Sequence, residues 1–160
     1  MKRLRLRSLE DARYAFGPRS FEEEAALPDS HWHQLTAQVG GQVPEWRDRC
    51  VNYVVLDGDD ACGTVTCYLC PQVPRRAYIS AAWIDPRYRR RGLGRQLVDA
   101  AIAWAAAHGA DHFRLWVDAS NPNAAEFYRA LGFVPTGENQ PVSPDSSELQ
   151  SGFELRLGRA

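Results

Sequence analysis

Pro86-Arg87-Tyr88-Arg89-Arg90-Arg91-Gly92-Leu93-Gly94-Arg95 is the stretch whose reading decides the fold. It follows an apolar, strand-like run, Ala77-Tyr78-Ile79-Ser80-Ala81-Ala82-Trp83-Ile84, and opens a helix-like run over residues 93–107. A strand, a glycine-containing loop and a helix N-terminus in succession are the parts of an anion site. The first N–H groups of a helix lack intrahelical partners, and the helix dipole favours negative charge beside them. Gly92 and Gly94 allow the main chain to approach a phosphate with no Cβ in the way. Five arginines in these ten residues add charge and forked donors. The ligand they imply is a pyrophosphate or a phosphorylated cofactor.

Two common phosphate motifs are excluded by inspection. The P-loop requires Gly-x-x-x-x-Gly-Lys-Ser/Thr, and no such run occurs. The dinucleotide fingerprint requires a third glycine three residues after the second, where this chain has Leu97, and no acidic residue on a following strand is clearly offered. What remains is Arg89-x-x-Gly92-x-Gly94, preceded by Ile84-x-Pro86. This resembles the acetyl-CoA signature of the GNAT superfamily of N-acetyltransferases. A second block agrees with it: Val117-Asp118-Ala119-Ser120-Asn121-Pro122-Asn123-Ala124-Ala125-Glu126-Phe127-Tyr128-Arg129-Ala130-Leu131-Gly132-Phe133 is similar to the family's strand, Asn, helix with Tyr, then Leu-Gly-Phe. The resemblance covers residues 76–136 closely and the flanks in outline.

Length and charge fit one domain over residues 1–160, large enough to bury a core. A net charge of −1 argues against a general nucleic-acid binder, whose whole domain is usually basic. No run of eighteen apolar residues offers a membrane span. The basic start Met1-Lys2-Arg3-Leu4-Arg5-Leu6-Arg7 is followed by no signal core, so a cytoplasmic location is expected. Cys67 and Cys70 have Cys-x-x-Cys spacing, but no second pair matches, and no metal is expected.

The remaining elements are read from periodicity and caps. Leu4-Arg5-Leu6 alternates and predicts a first strand; Ser8 then predicts a short helix start. Ser20-Phe21-Glu22-Glu23 has the capping-box pattern, and Asp29-Ser30 offers another cap, so residues 9–38 read as broken helices closed by Gly40-Gly41. Residues 51–56 and 61–69 flank Asp57-Gly58-Asp59-Asp60, a hairpin signal. Strands are expected over 76–84 and 112–117. Leu93, Leu97, Ala101 and Trp104 give the intervening helix a broad apolar stripe. Asn121-Pro122 supplies a cap and an N1 proline to the last long helix. Gly132-Phe133-Val134 begins a strand, residues 136–147 read as a mobile loop, and residues 153–157 alternate as a closing strand. The sum is an α/β (α+β) domain with a central mixed, mostly antiparallel sheet flanked by helices.

The resemblance implies roles for particular residues. The backbone of Ala82, Trp83 and Ile84 would meet the pantetheine arm and thioester, with Arg89, Arg90, Arg91, Gly92, Leu93, Gly94 and Arg95 around the pyrophosphate. A main-chain N–H of that strand would stabilise the oxyanion. Tyr128 is the expected general acid for the departing thiolate, or a packing residue. Asn121 would bond the cofactor arm, cap its helix, or both. The base departs from known patterns. Ribosomal-protein alanine acetyltransferases carry a Glu five residues before the Asn, where this chain has Trp116, and residues 77–84 contain no carboxylate. Ordered water, Asp118, His31, His33 and Glu22 to Glu24 remain open. Trp32 and Trp46 are candidates for the acceptor pocket and equally for packing. Acetyl transfer to a small primary amine is the leading expectation, with a protein or peptide N-acetyltransferase and a non-catalytic CoA-binding domain as alternatives. A homodimer is left open.

Overall fold

The computed structural model describes residues 1–12, 19–40, 42–144 and 146–158. Three helices come first: α1 (Lys2–Asp11), α2 (Phe21–Ala25) and α3 (Asp29–Val39). After them come β1 (Cys50–Asp57), β2 (Asp60–Leu69), β3 (Arg76–Ile84), α4 (Leu93–Ala107), β4 (His112–Asp118), α5 (Pro122–Ala130), β5 (Val134–Pro141) and β6 (Leu149–Arg156). The strands form one sheet in the order β1-β2-β3-β4-β6-β5. Only β3 and β4 run parallel; the other neighbours are antiparallel. This is the mixed, mostly antiparallel sheet expected from the sequence.

Period-two alternation places the core. Phe113, Leu115 and Val117 of β4 are buried on one face with Val65 and Cys67 of β2 and Ala77 and Ile79 of β3. The apolar stripe of α4, now seen as Leu97, Val98, Ala101 and Ala105, closes over them, and Tyr128 of α5 and Phe133 complete the cluster. Each fully buried large side chain contributes roughly 1.5–3 kcal/mol by leaving water. The opposite face of β4 carries Arg114, Trp116 and Asp118.

Five expectations need correction. Residues 4–6 are not a strand but lie within α1. Three alternating residues are too few to specify a strand, whereas Leu4, Ser8 and Leu9 fall on one helical face and are all buried there. Ser8 consequently starts no helix: its Oγ donates to the Arg5 carbonyl at 2.6 Å inside α1. Asp29 does not cap α3; Pro28 occupies that position with no side-chain bond, and Asp29 pairs with Lys2 at 3.0 Å instead. Residues 136–141, read as loop, belong to β5. Pairing with β6 overrides the polar composition, and an edge strand tolerates Pro135 and Pro141 because its outer N–H groups need no partner. The closing strand accordingly starts at Leu149 rather than Phe153. The capping box at Ser20 and Glu23 is present as read. Parts of two readings, the helical segment at 13–18 with Gly41 and the loop at Asp145, lie outside the described residues.

Candidate active site

The parallel pairing of β3 and β4 lasts only three residues, Arg76↔His112 to Tyr78↔Arg114. Beyond it the strands carry no mutual pairing, while β4 stays paired to β6 through Asp118. The sheet therefore opens between residues 79–84 of β3 and 115–118 of β4. A bulge sharpens the opening. Thr64 pairs with Trp83 and Thr66 with Ser80, so Val65 alone opposes both Ala81 and Ala82. Ala81 adopts φ +52°, a left-handed conformation unusual for a residue with a Cβ. Beyond this bulge Ala82, Trp83 and Ile84 border the gap. Close packing fixes Ile84: a Cβ on Gly63 would run into its side chain.

At the open end, β3 runs into a 3-10 turn, Pro86–Tyr88, and then into α4. Arg90 has φ +63° and Gly92 has φ +77°, so the chain turns sharply twice before the helix. No side chain caps α4. The first amide of this segment to find an acceptor is Gln96, which bonds the Gly92 carbonyl at 3.1 Å. The N–H groups of residues 90–95 have no acceptor among the described residues. Successive open donors ahead of a helix N-terminus are the features from which anion sites are built.

The arginines divide into two sets. Arg87 bonds Asp85 at 3.0 Å and Arg95 donates to the Ala130 carbonyl at 3.0 Å. Arg89 donates to the Ile84 carbonyl at 3.0 Å and pairs with Asp11. Arg91 lies over the Tyr88 ring at 5.3 Å. Arg90 is exposed with no ion-pair partner among the described residues. Arg90 and Arg91 are thus the cations free to meet phosphate. Gly94 has a reason different from the one its sequence suggests: a Cβ there would meet the Phe127 ring at 3.3 and 3.4 Å, so this glycine admits α5 against α4.

Asn121 accepts the Ala124 N–H on Oδ1 at 3.0 Å and so caps α5. Tyr128 is 8% exposed, with its ring edge-on to Phe127 and Phe133. Its hydroxyl makes no hydrogen bond among the described residues. Burial pushes the phenol up to about 12. It holds its proton at any physiological pH.

Trp116 lies on the face away from the core, its ring under the Arg114 guanidinium at 5.5 Å. Arg114 is held by Glu138 at 2.5 Å. Gly152 leaves room for this group, since a Cβ would meet Thr136 at 2.6 Å and both Arg114 and Trp116 at 3.2 Å. Of the acids and histidines left open as bases, Asp118 alone stands on a strand bordering the opening, where its Oδ1 accepts from Ser120 N at 2.8 Å and Oγ at 2.7 Å. Glu24 is buried against Arg5 at 2.7 Å. His31 and His33 sit on α3, which packs on the far edge strand β1.

Sequence reasoning missed Asp85, Arg7 and Asp11. Asp85 before Pro86 carries a readable signal, a short acceptor followed by an N1 proline. Arg7 and Asp11 carry none. Among the described residues no three His, Cys, Asp or Glu side chains are grouped to hold a metal, and no helix is long and apolar enough to cross a membrane.

Known proteins place this geometry. The chain is 31% identical to N-alpha-acetyltransferase 30 of Xenopus laevis over 94 residues, covering 58% of this chain and 34% of that protein. It is 34% identical to mycothiol acetyltransferase of Beutenbergia cavernae over 92 residues, covering 56% and 30%. The chain thus spans about a third of the length of these curated relatives. In fold it matches yncA, a candidate acetyltransferase of Salmonella typhimurium solved with its cofactor acetyl-CoA, with a TM-score of 0.71 at 14% identity over 99% of this chain and 87% of that one. A sequence model of the acetyltransferase (GNAT) family matches residues 8–133. The chain belongs to the GNAT family of acetyltransferases.

Proposed function

We propose that the protein transfers an acetyl group from acetyl-CoA to the primary amine of a small molecule, by direct attack with both substrates bound. The observation that carries the donor side is the run of unpaired N–H groups at residues 90–95, opening onto the gap between β3 and β4. These groups, with Arg90 and Arg91, would hold the pyrophosphate. The bulged edge at Ala81, Ala82, Trp83 and Ile84 would hold the pantetheine arm, and a main-chain N–H of that strand would stabilise charge on the carbonyl oxygen. Bound acetyl-CoA supplies the acyl group as an activated thioester.

Tyr128 holds its proton at Oη for the sulfur that departs. A phenol at about 12 is a weak acid beside an ordinary thiol near 8.5, but the desolvation that raises the phenol also raises a thiolate leaving into the same site. Asp118 accepts the proton of the attacking amine, directly or through one water. Asn121 caps α5 and leaves its Nδ2 donor for the cofactor arm.

Trp116 supports a small-molecule acceptor: an aromatic ring stacked on Arg114 stands where N-terminal acetyltransferases of the ribosomal-protein type carry an acid. The 31% identity to N-alpha-acetyltransferase 30 favours a protein N-terminus as the second reading. The reading includes a cytoplasmic location, which the free thiols of Cys50, Cys62, Cys67 and Cys70 support. An assay of thiol release from acetyl-CoA over a panel of small amines and peptides tests both readings. Turnover on small amines is expected. Turnover confined to peptides would replace the small-molecule reading, and tight binding without thiol release would leave a non-catalytic CoA-binding domain.

A further inference from the structure

The N-terminal helix reaches the phosphate loop through two side chains. Arg7 and Asp11 stand four residues apart and share a face of α1. Arg7 donates to Asp60 at 2.9 Å and to the Ala61 carbonyl at 3.1 Å, and its second nitrogen pairs with Asp85. Asp85 is 4% exposed and closes β3; its Oδ1 accepts from the Arg87 N–H at 2.9 Å and so starts the 3-10 turn. Asp11 accepts from Trp83 Nε1 at 2.8 Å and pairs with Arg89, the residue just after that turn. The turn is therefore held at both ends, at Asp85 by Arg7 and at Arg89 by Asp11.

The demanding part of the loop lies immediately beyond this held segment. Arg90 takes a left-handed φ that a residue with a Cβ disfavours, and Gly92 takes another. Such a conformation persists only where its surroundings impose it. The buried Asp85 carboxylate, held between the guanidiniums of Arg7 and Arg87, anchors the segment that leads into it and supplies that imposition.

We propose that Arg7 and Asp11 are positioning residues for the cofactor loop. They hold Asp85 and Arg89 so that the N–H groups of residues 90–95 converge on the pyrophosphate. Arg89, the arginine that opens the Arg-x-x-Gly-x-Gly signature, acts through Asp11 and the Ile84 carbonyl and not by touching phosphate. This rests on the reading that the loop binds acetyl-CoA.

The two possible roles of Arg89 predict opposite signs. If Arg89 touched phosphate, Asp11 would compete for it, and Asp11→Asn would leave acetyl-CoA binding equal or tighter. If Asp11 positions the loop, Asp11→Asn weakens it. The Asn oxygen still accepts from Trp83, so α1 stays docked while the charge holding Arg89 is lost. Calorimetric titration of acetyl-CoA should show affinity falling about tenfold in Asp11→Asn, by a similar factor in Arg89→Ala, and by no more in the double variant, since both break one contact. KM for acetyl-CoA should rise with kcat at saturating donor and KM for the amine nearly unchanged, a split that a general loss of folding would not produce. Arg89→Ala leaves α1 intact and serves alone if Asp11→Asn does not fold, with a rise in KM confined to acetyl-CoA expected. In that case equal changes in both KM values overturn the proposal. Unchanged or tighter binding in Asp11→Asn overturns it, as does weakening in Arg89→Ala alone. Arg90→Ala, titrated alongside, separates the two levels: if it weakens binding and Asp11→Asn does not, the loop keeps its cofactor and α1 loses its role. If neither weakens binding, the cofactor reading falls and the positioning role with it.

Discussion

The two helices that meet at the opening begin in opposite ways. α5 starts with all but one of its first donors accounted for: Pro122 has no N–H, Asn121 N bonds the Asp118 carbonyl at 2.9 Å, Ala124 N bonds the Asn121 side chain at 3.0 Å and Ala125 N bonds the Asn121 carbonyl at 3.3 Å, which leaves Asn123 N without an acceptor among the described residues. α4 starts at a glycine with no capping side chain, and six successive amides lack an acceptor among the described residues. A helix whose terminus serves only the fold satisfies its own donors. One that keeps them open at a surface, behind a loop in two left-handed conformations, is arranged for an anion. On the proposed function the phosphate belongs to α4 and the proton donor Tyr128 to α5, so changes at α4 should move affinity and changes at α5 should move turnover or stability.

The largest effect belongs to Tyr128→Phe, which keeps the ring against Phe127 and Phe133 and removes the proton. Turnover should drop about 10²-fold or more, the scale of losing a general acid, with acetyl-CoA affinity little changed. Steady-state kinetics on the best amine found checks this; near-normal kcat would return Tyr128 to a packing role and pass the proton to water. At α4, Arg90→Ala should weaken acetyl-CoA by about 1–3 kcal/mol, the cost of a charge-assisted bond to phosphate. Titration at rising salt should show the wild type losing affinity faster than the variant. Asn121→Ala sharpens the contrast: loss of the cap should cost about 1 kcal/mol of stability in denaturant unfolding, with donor affinity nearly intact. A large loss of affinity there would mean that Asn121 holds the cofactor as well as its helix.

Alkaline pH tests the packed side of α5. Burial pushes Tyr128 and Cys67 up to about 12 and Cys50 up to about 11. The unfolded chain releases these protons first, near 8.5 for the thiols and 10 for the phenol. Their contribution to stability is thus complete below about pH 8.5 and is lost as pH rises through 12, because the unfolded state binds fewer protons there. The melting temperature should fall from about pH 9 upward, and Tyr128→Phe should flatten the part above pH 10. A melting temperature constant to pH 11 would contradict the burial of these groups.

The sequence was most legible where chemistry and chain are contiguous. Arg89 to Gly94 and Asn121 to Phe133 each encode a strand end, a turn and a helix start within a few residues, so local rules were sufficient. Legibility ended where a side chain answers to a distant partner. Arg89 pairs with Asp11 across 78 positions, and nothing near either residue announces the other. Gly94 reads as a phosphate glycine until Phe127 is seen beside it. Leu4-Arg5-Leu6 alternates like a strand, yet burial of Leu4, Ser8 and Leu9 on one face makes it helix. The polar stretch 136–141 looks like loop because its order comes from β6 and from Arg114 gripping Glu138. Asp118 stood among several equal candidates for a base until the topology set it at the mouth and the α3 histidines at the far edge.

The claim on which the rest depends is that the open N-terminus of α4 is the seat of the pyrophosphate, and Gly92→Asp tests it most directly. Asp tolerates a left-handed φ better than most residues, and nothing lies within 4 Å of the Cβ it would add. It sets a carboxylate at the helix start, which favours the helix dipole but repels phosphate from the same amides. Titration of acetyl-CoA should show affinity reduced at least about tenfold, the equivalent of 1.4 kcal/mol, in a protein that still unfolds cooperatively despite the strain of a side chain at φ +77°. Wild-type affinity in a folded Gly92→Asp protein would contradict the account and move the phosphate elsewhere.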